Sequence, residues 1–501
     1  MNPWRVLALA AAVAAGGCAT LGGDFDAHLA SPAVQVRECA EWYRALDAAT
    51  GEAGVGDAQY HRLPGFPYLR VDRVTASLRE RAAQSEPAMQ AYAERLLELD
   101  LEARRHEIEN LPRTRLEALP GMAGLTRGHV QRRTDACGRL LREIDLAKPQ
   151  ARAALLAQSS VPDDYETGWR VAGLYWLTRL PFFSGVKRWE EETLAAFARG
   201  PAAEGALRVR YAPPALPAVP RERIAEMLGR ARADPLGRPF LSNEEFHLLA
   251  AAYAPSFDIE VAGDYDRFGA LRWLRDADLP RVDAADPLVY VQPSYTRYGE
   301  HVLLQISYVL WFPERPAQGG FDLLSGRLDG LFWRVTLAPD GEPLLYDSMH
   351  PCGCYHMFFP TPRARPRESP SAIEEWAFAP QPLPRVAGDE RPLVSIATGT
   401  HYIERVALVR GRDSLSRYAF HPYDALRSLL HPEGGRRSAF GPDGLIAGSE
   451  RAERFLFWPM GIASPGAMRQ WGRHATAFVG RRHFDEARLL ERRFELDLGK
   501  P

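Results

Sequence analysis

The sequence predicts an α+β protein, with a helical N-terminal domain followed by a mainly antiparallel, sandwich-like β domain with helical decoration. Apolar residues recur at steps of three and four until about residue 160, and at steps of two from about residue 285. These periods are typical of amphipathic helices and of strands with one buried face. Between them, a proline-rich stretch at residues 213–220 indicates an extended connection. With 501 residues, 46% of them hydrophobic, the chain can bury more than one core.

The N-terminal segment has the features of a signal peptide. Arg5 provides a positive start, and Val6–Ala15 is an apolar run too short to span a bilayer but suited to secretion. The tetrapeptide Ala15-Gly16-Gly17-Cys18 then resembles the bacterial lipobox, with Ala15 where leucine is commonest. That resemblance implies cleavage before Cys18 and lipidation of its side chain. Ala19, in place of aspartate, implies anchoring to the outer membrane with the body in the periplasm. The alternative is an ordinary signal peptide with an incidental cysteine.

The remaining organisation follows from composition and period. We expect a tether at 19–30, a helical domain at 31–200, a linker with connecting helices at 201–284, a β-rich domain at 285–460 and C-terminal helices at 461–501. The 62 basic and 64 acidic residues give a formal charge of -2, which in general disfavours binding to nucleic acid and to an anionic membrane face. We recognise no nucleotide or flavin motif, and the sequence has no later segment long enough to span a membrane.

Three apolar faces predict an antiparallel helical bundle in the N-terminal domain. They are Val36, Cys39, Tyr43 and Leu46; Met89, Tyr92, Leu96, Leu99 and Ala103; and Val130, Cys137, Leu141 and Ile144. Cys39 and Cys137 occupy equivalent places on two of these faces. We therefore expect an interhelical disulfide, which a periplasmic location permits; two buried free thiols are the alternative.

The segment Trp169–Phe183 is apolar nearly all round, with Arg170 and Arg179 as its charged residues. That composition predicts a buried helix ended by Pro181. A segment lying against a membrane is the alternative, because the chain is expected to be lipid-anchored.

Alternating apolar residues predict the strands of the C-terminal domain. The even positions of Val302–Phe312 are all apolar, which indicates a long strand with one buried face. A hairpin follows, from Leu331–Leu337 through a turn at Asp340-Gly341 to Leu344–Tyr346. Two more strands are expected at Leu393–Thr398 and Glu404–Val409, and helices after Ser464-Pro465 and over Phe484–Leu496.

The most distinctive motif is a cluster of four metal- or redox-competent side chains directly after this hairpin. It comprises His350, Cys352, Cys354 and His356, at every second position in a chain with 5 cysteines. On a straight strand its ends would lie about 20 Å apart, too far to share one ion. Pro351 and Gly353 can bend the chain, so we expect a tight loop at a hairpin exit.

Three chemical functions fit this cluster. First, its thiolates and imidazoles could bind zinc or copper, with His401 as a further ligand. Second, Cys352 and Cys354 could form a strained, easily reduced disulfide with a redox or a locking role. Third, one cysteine could be a nucleophile, with a histidine as base and Asp347 orienting it. Packed thiols and surface histidines without chemistry are the fourth possibility.

Three aspartates in predicted loops are further candidates for carboxylate ligands or bases: Asp264, Asp266 and Asp329. Aspartates in loops more often stabilise turns or cap helices.

Residues 290–405 resemble necrosis-inducing-type β-sandwich proteins. The segments that carry the resemblance are Tyr308–Phe312, Asp329 with Trp333-Arg334-Val335, Tyr346–His350, Arg391–Val394 and Thr400-His401. The resemblance implies a sandwich fold and a metal site at His350 and His401. The chain departs from that family by lacking an acidic cluster before Trp333, by having Arg334 in place of an acid, and by containing the Cys-Gly-Cys motif. The resemblance implies no toxin activity.

Together these patterns predict a lipid-anchored periplasmic envelope protein with a zinc or copper site at His350, Cys352, Cys354, His356 and His401. The alternatives are a disulfide-stabilised envelope scaffold or binding protein without metal, and a metal-dependent hydrolase with an open coordination position. The sequence leaves open whether the protein is an enzyme, and it identifies no substrate.

Overall fold

The structure is a computed structural model that describes residues 25–199, 205–215, 219–320, 322–388, 390–410 and 416–499. The predicted signal peptide and the predicted lipidation site Cys18 lie outside these residues. Every contact discussed below is made within them, so a chain that begins at Ala19 keeps all of the described structure.

The N-terminal part is helical, as predicted, and continues into a long surface helix. The α-helices are α1 Phe25–Leu29, α2 Val34–Glu52, α3 Arg73–Ser77, α4 Arg79–Ala82, α5 Glu86–Asn110, α6 Arg113–Glu117, α7 Arg127–Leu146, α8 Pro149–Gln158, α9 Thr167–Ala172, α10 Tyr175–Arg199, α11 Arg221–Gly229, α12 Asn243–Ala252, α13 Arg454–Phe457 and α14 Leu489–Arg493. Ser85 begins α5 by accepting a hydrogen bond from the N–H of Ala88, which satisfies a helix-end donor. The apolar faces of α2, α5 and α7 form one buried cluster.

A disulfide joins α2 to α7 through Cys39 and Cys137, as their matching apolar faces predict. It closes a loop with a sequence separation of 98 residues. A cross-link over so long a loop removes much of the freedom of the unfolded chain.

Replacing both Cys39 and Cys137 by alanine is expected to lower the free energy of unfolding by about 2–4 kcal/mol. The double replacement avoids leaving a lone reactive thiol. Urea unfolding followed by circular dichroism would measure the loss. A loss below about 1 kcal/mol would show that packing in the bundle, rather than the cross-link, holds α2 on α7.

The β-rich part contains two main sheets. The strands are β1 His61–Leu63, β2 Phe66–Val71, β3 Arg208–Ala212, β4 Ser256–Glu260, β5 Ala270–Arg272, β6 Arg281–Asp283, β7 Leu288–Tyr298, β8 His301–Arg315, β9 Gly326–Leu337, β10 Pro343–Met349, β11 Met357–Pro360, β12 Ala364–Pro366, β13 Glu390–Ile396, β14 Ile403–Arg410, β15 Ser416–Arg417, β16 Ala419–Pro422, β17 Leu429–Leu430, β18 Arg436–Arg437 and β19 Phe494–Leu496. One sheet has the order β11-β10-β9-β8-β7-β16, and the other β14-β13-β4-β3-β15. Their facing side chains share one core, which confirms the α+β class.

Two segments contribute strands that local periodicity does not predict. The hairpin β1–β2 lies inside the helical domain, where Tyr68 and Leu69 pack against α5 and α7. The predicted linker at 201–284 supplies β3 and β4, and β4 pairs in parallel with β13. That pairing joins residues more than 130 positions apart, so no local pattern could have predicted it.

The expectation of one buried face for β8 is wrong, because both faces are buried. Leu304 and Ile306 face the core between the sheets, whereas Val309 and Trp311 contact a second cluster formed with residues 423–484. The predicted C-terminal helices are largely absent from that region. The described chain from 461 to 488 is irregular, and α14 is a single short helix, because this segment is held by contacts with the sheet rather than by its own periodicity.

The expectation of a buried helix at Trp169–Phe183 is also wrong. The segment forms α9 and the first part of α10, and Pro181 lies inside α10. Trp176 is 68% exposed and Val171 is 72% exposed. Among the described residues no helix combines the length and apolar character needed to cross a bilayer.

Candidate functional site

The predicted His/Cys cluster lies in the turn between β10 and β11. The N–H of His350 donates to the carbonyl of Cys354 at 3.0 Å, and the N–H of Gly353 donates to the carbonyl of His350 at 2.8 Å. Gly353 has a φ of 91°, and a Cβ there would lie 2.3 Å from the carbonyl oxygen of Ala475. Both observations require glycine. The predicted tight loop at a hairpin exit is confirmed.

The turn separates the five residues predicted as metal ligands into three groups. These are His350 with His401, His356 alone, and Cys352 with Cys354. Within the described part of the chain, no three His, Cys, Asp or Glu side chains are grouped to hold one metal ion. Zinc or copper binding therefore stays a prediction.

The first group is organised by Asp329 on β9, a fully buried carboxylate. His350 Nδ1 lies 3.2 Å from one of its oxygens and His401 Nδ1 lies 2.8 Å from the other. Arg451 Nη2 adds a third contact at 3.3 Å. Burial opposes ionisation of Asp329, but His350 and Arg451 outweigh it and hold its pKa well below the ordinary value.

The two histidines differ in charge because their surroundings differ. His401 has an acceptor at each ring nitrogen, since Nε2 lies 3.2 Å from the carbonyl of Tyr265 and near Asp266. Burial lowers its pKa, but the hydrogen bonds to Asp266 and Asp329 outweigh that and raise it. For His350, burial outweighs Asp329 and the pKa is lowered. The arrangement therefore favours a charged His401 and a neutral His350.

His356 lies beside a separate buried ion pair, which Arg334 and Asp347 form. Its Nε2 lies 3.0 Å from Asp347, and Arg334 donates to both oxygens of the same carboxylate at 2.9 and 2.5 Å. The guanidinium of Arg334 also lies 3.6 Å from the ring centroid of Phe484. Burial lowers the pKa of His356 to about 3, so the ring is neutral. Asp347 thus holds one ring nitrogen of His356, whose side chain lines the same cavity as Cys354.

Cys352 and Cys354 are free thiols that contact each other across Gly353. Cys352 is buried, whereas Cys354 is partly exposed. The hydrogen bond from Cys354 lowers the pKa of Cys352, and the same contact with burial raises the pKa of Cys354 well above its ordinary value. The pair therefore loses its first proton more readily than an isolated cysteine, and its second much less readily.

Cys354 faces a cavity of about 660 Å³ between the turn, α10 and α13. Its walls include the aromatic rings of Trp189, Phe378 and Phe457, together with the carboxyls of Glu375 and Glu453. An apolar cavity of this size with a few convergent polar groups has the form of a small-molecule site. A second cavity of about 690 Å³, lined by α11 and β8, contains none of the candidate site residues.

Glu453 is a cavity carboxyl with a strongly raised pKa. Burial raises its pKa to about 7, although Arg451, Arg315 and Arg469 oppose the shift. Its charge opposes ionisation of both thiols, and its side chain lines the same cavity as Cys354.

The Glu453→Gln variant is expected to change how stability depends on pH. The folded-state pKa of about 7 exceeds the ordinary 4.5, so folding favours the protonated carboxyl. Wild-type stability therefore falls as pH rises from about 4.5 to 7, by up to about 3 kcal/mol from this group. Glutamine does not ionise and so removes that loss. The free energy of unfolding of the variant, relative to that of the wild type, should therefore increase over this pH range. Urea unfolding at several pH values would measure the difference, and a constant difference would contradict the expectation.

Backbone strain is concentrated around Asp329. Six non-glycine residues of the described chain have a positive φ, and three of them lie here: Leu328 at 60°, Tyr355 at 60° and His401 at 54°. Leu328 precedes Asp329, and the ring of Tyr355 packs edge-on against His350. Such conformations cost roughly 1–3 kcal/mol each and persist where surrounding contacts impose them, often at functional sites.

The comparisons with known proteins are negative: no family model, curated protein or solved structure matches this chain. The site is therefore interpreted from its own geometry.

Sequence patterns identified the turn but missed most of its surroundings. Asp329 and Asp266 were candidates as loop aspartates, and both are buried beside His401; the side chain of Asp264 is fully exposed. No sequence pattern indicated a role for Glu453 or Arg451, because a short Arg/Glu-rich stretch is typical of a solvated surface. Their role depends on the irregular C-terminal segment folding back over the sheet.

Proposed function

We propose that this protein is a lipid-anchored envelope protein whose Cys352–Cys354 pair carries out thiol–disulfide exchange with a substrate bound in the cavity of about 660 Å³. The observation that carries the proposal is the contact between two thiols of which one, Cys354, lies in the cavity wall. A thiolate stabilised by a neighbouring S–H is the reactive form in exchange.

The exchange proceeds in two balanced steps from the reduced pair. Cys352 gives its proton to Glu453, and the proton shared by the two sulfurs then moves from Cys354 to Cys352. The Cys354 thiolate formed in this way attacks one sulfur of the substrate disulfide. The substrate S–S bond breaks, a mixed disulfide forms at Cys354, and the departing thiolate takes the proton. Cys352 then gives its proton to Glu453 and attacks the sulfur of Cys354. The mixed S–S bond breaks, and the second substrate thiolate leaves and takes that proton from Glu453. The pair is oxidised by two electrons and the substrate disulfide is reduced to two thiols.

The same chemistry runs in reverse with a dithiol substrate. A disulfide between Cys352 and Cys354 closes a small ring across one residue, and such strained rings are readily reduced. The oxidised pair would therefore donate its disulfide. Since Trp189 and Phe378 line the cavity, we infer a substrate that carries its sulfur on an apolar or aromatic group.

Two features support the location. The segment ending at Cys18 resembles a lipobox, and a disulfide between Cys39 and Cys137 is typical of proteins in oxidising compartments.

The test uses the chain that begins at Ala19, reduced and then freed of reductant. We expect two titratable thiols per chain and, on addition of a small aromatic disulfide, release of two thiols with a mass loss of two hydrogens. The cavity predicts faster reaction with an aromatic disulfide than with a charged one of equal potential. Thiols that react only after unfolding would refute the proposal.

The predicted zinc or copper site is a second candidate, because two adjacent thiols also suit a soft metal ion. Elemental analysis of the same preparation separates the two. One metal ion per chain that blocks thiol titration, and is lost in Cys352→Ser, would establish metal binding and overturn exchange as the native function. Two freely titratable thiols in a metal-free chain that exchange as above would support the redox pair.

A further inference from the structure

The helices α9, α10 and α13 expose an unusual number of large apolar side chains. Within residues 167–183 and 454–458, those at least 39% exposed are Trp169, Val171, Leu174, Trp176, Leu177, Leu180, Phe455, Leu456 and Trp458. We call this set the aromatic surface. In α10, which spans 25 residues, Thr193 alone among the described side chains is buried. Most of α10 therefore gains little stability from packing against the protein core.

The aromatic surface is supported from beneath by contacts that join α9 and α10 to residues 457–460. Phe182 packs edge-on against Phe457 with a centroid distance of 4.9 Å, which joins α10 to α13. Gly173 sits so close to Pro459 that a Cβ would lie 2.5 Å from its ring. Arg170 Nε donates to the carbonyl of Met460 at 2.8 Å. These contacts hold α9, α10 and α13 together beneath the exposed side chains.

The exposed charges beside the apolar side chains of α10 are basic. Lys187 and Arg188 are exposed, Arg179 is partly exposed, and no acidic residue occurs between Thr167 and Trp189, whereas Glu190–Glu192 follow further along the same helix. Lys187 is half exposed and lies 2.6 Å from Glu190, just beyond the segment. An apolar face with tryptophans and a basic margin is complementary to the headgroup region of an anionic bilayer.

We propose that the aromatic surface rests on an anionic lipid bilayer, with α9, α10 and α13 lying in the interface rather than crossing it. Tryptophan and leucine side chains would enter the boundary of the acyl region while the exposed Lys187 and Arg188 meet lipid phosphates. The predicted lipid on Cys18 would itself hold the chain close to a membrane, because the segment from Cys18 to Phe25 extends at most about 25 Å. The proposal does not depend on the thiol chemistry.

The test measures partitioning of the chain from Ala19, which lacks the predicted lipid, onto sedimented vesicles. Vesicles of phosphatidylglycerol and phosphatidylethanolamine are compared with vesicles of phosphatidylcholine. We expect binding to the anionic vesicles that weakens with salt, and about ten-fold weaker partitioning for Trp176→Ser/Leu177→Ser. Lys187→Glu should also weaken binding to anionic vesicles while leaving the weak binding to phosphatidylcholine unchanged.

Matched controls come from apolar side chains exposed elsewhere. Phe240 is 67% exposed and Leu430 is 71% exposed, and their replacement by serine should leave partitioning unchanged. Because all these side chains face outward, thermal unfolding should show that every variant is folded. Equal binding by the Trp176→Ser/Leu177→Ser variant, or no binding to any vesicle, would overturn the proposal. Dimerisation through the aromatic surface without binding to vesicles would also overturn the proposal. It would show that a second copy of the chain covers this surface.

Discussion

Cys354→Ser is expected to lower the rate of exchange with an aromatic disulfide by at least about a thousandfold, because it removes the attacking thiolate. Cys354 lines the cavity, whereas Cys352 is buried behind it. Cys352→Ser keeps the attacking thiol but lacks the second one. That variant should release one thiol instead of two and accumulate a mixed disulfide at Cys354, which mass spectrometry would detect.

The chain from Ala19 offers clean controls for this comparison. Cys39 and Cys137 are already joined, so each single variant retains one free thiol. Cys39→Ala/Cys137→Ala should exchange at the wild-type rate at temperatures where it stays folded. A mixed disulfide that forms on Cys352 in the Cys354→Ser variant, at an undiminished rate, would contradict the assigned order of attack.

Asp329→Asn is expected to lower the free energy of unfolding by about 3–5 kcal/mol at neutral pH, the usual cost of removing one partner from a buried ion pair. Asparagine has nearly the same shape, so the loss would come from charge. It leaves the guanidinium of Arg451 and the imidazolium of His401 without their shared counter-ion. Urea unfolding would measure the loss.

Asp340→Asn is the matched control. Asp340 pairs with Arg363 at 2.7 Å, but its side chain is 47% exposed, and surface pairs contribute up to about 1 kcal/mol. The same chemical change should therefore have a much smaller effect there. Similar losses for the two variants would show that the cluster around Asp329 is open to water and carries no buried charge.

The sequence predicted the elements that depend on local pattern. The alternation in β8, β9 and β10 located the central sheet, and Pro351 and Gly353 located the bend that forms the turn. The equivalent positions of Cys39 and Cys137 on helix faces led to the disulfide. In each instance the information lies within about a dozen neighbouring residues, where periodicity is informative.

Features that depend on distant contacts could not be predicted. The parallel pairing of β4 with β13 and the approach of Glu453 to the thiols arise from tertiary packing alone. The exposure of α10 could not be predicted for a different reason. A segment that is apolar all round is equally suited to a protein core and to a lipid surface, so composition cannot distinguish the two.

The spacing of the four cysteines after Cys18 has a consequence for biogenesis. At the predicted periplasmic location, a disulfide forms only after the chain has crossed the inner membrane. Cys352 lies roughly 200 residues after Cys137, so a chain that crosses with its N-terminus first brings Cys39 and Cys137 into the oxidising compartment before the Cys-Gly-Cys turn. Arg469, which donates to the carbonyl of Cys352, follows later still. The order of export therefore protects the chain against pairing the wrong cysteines.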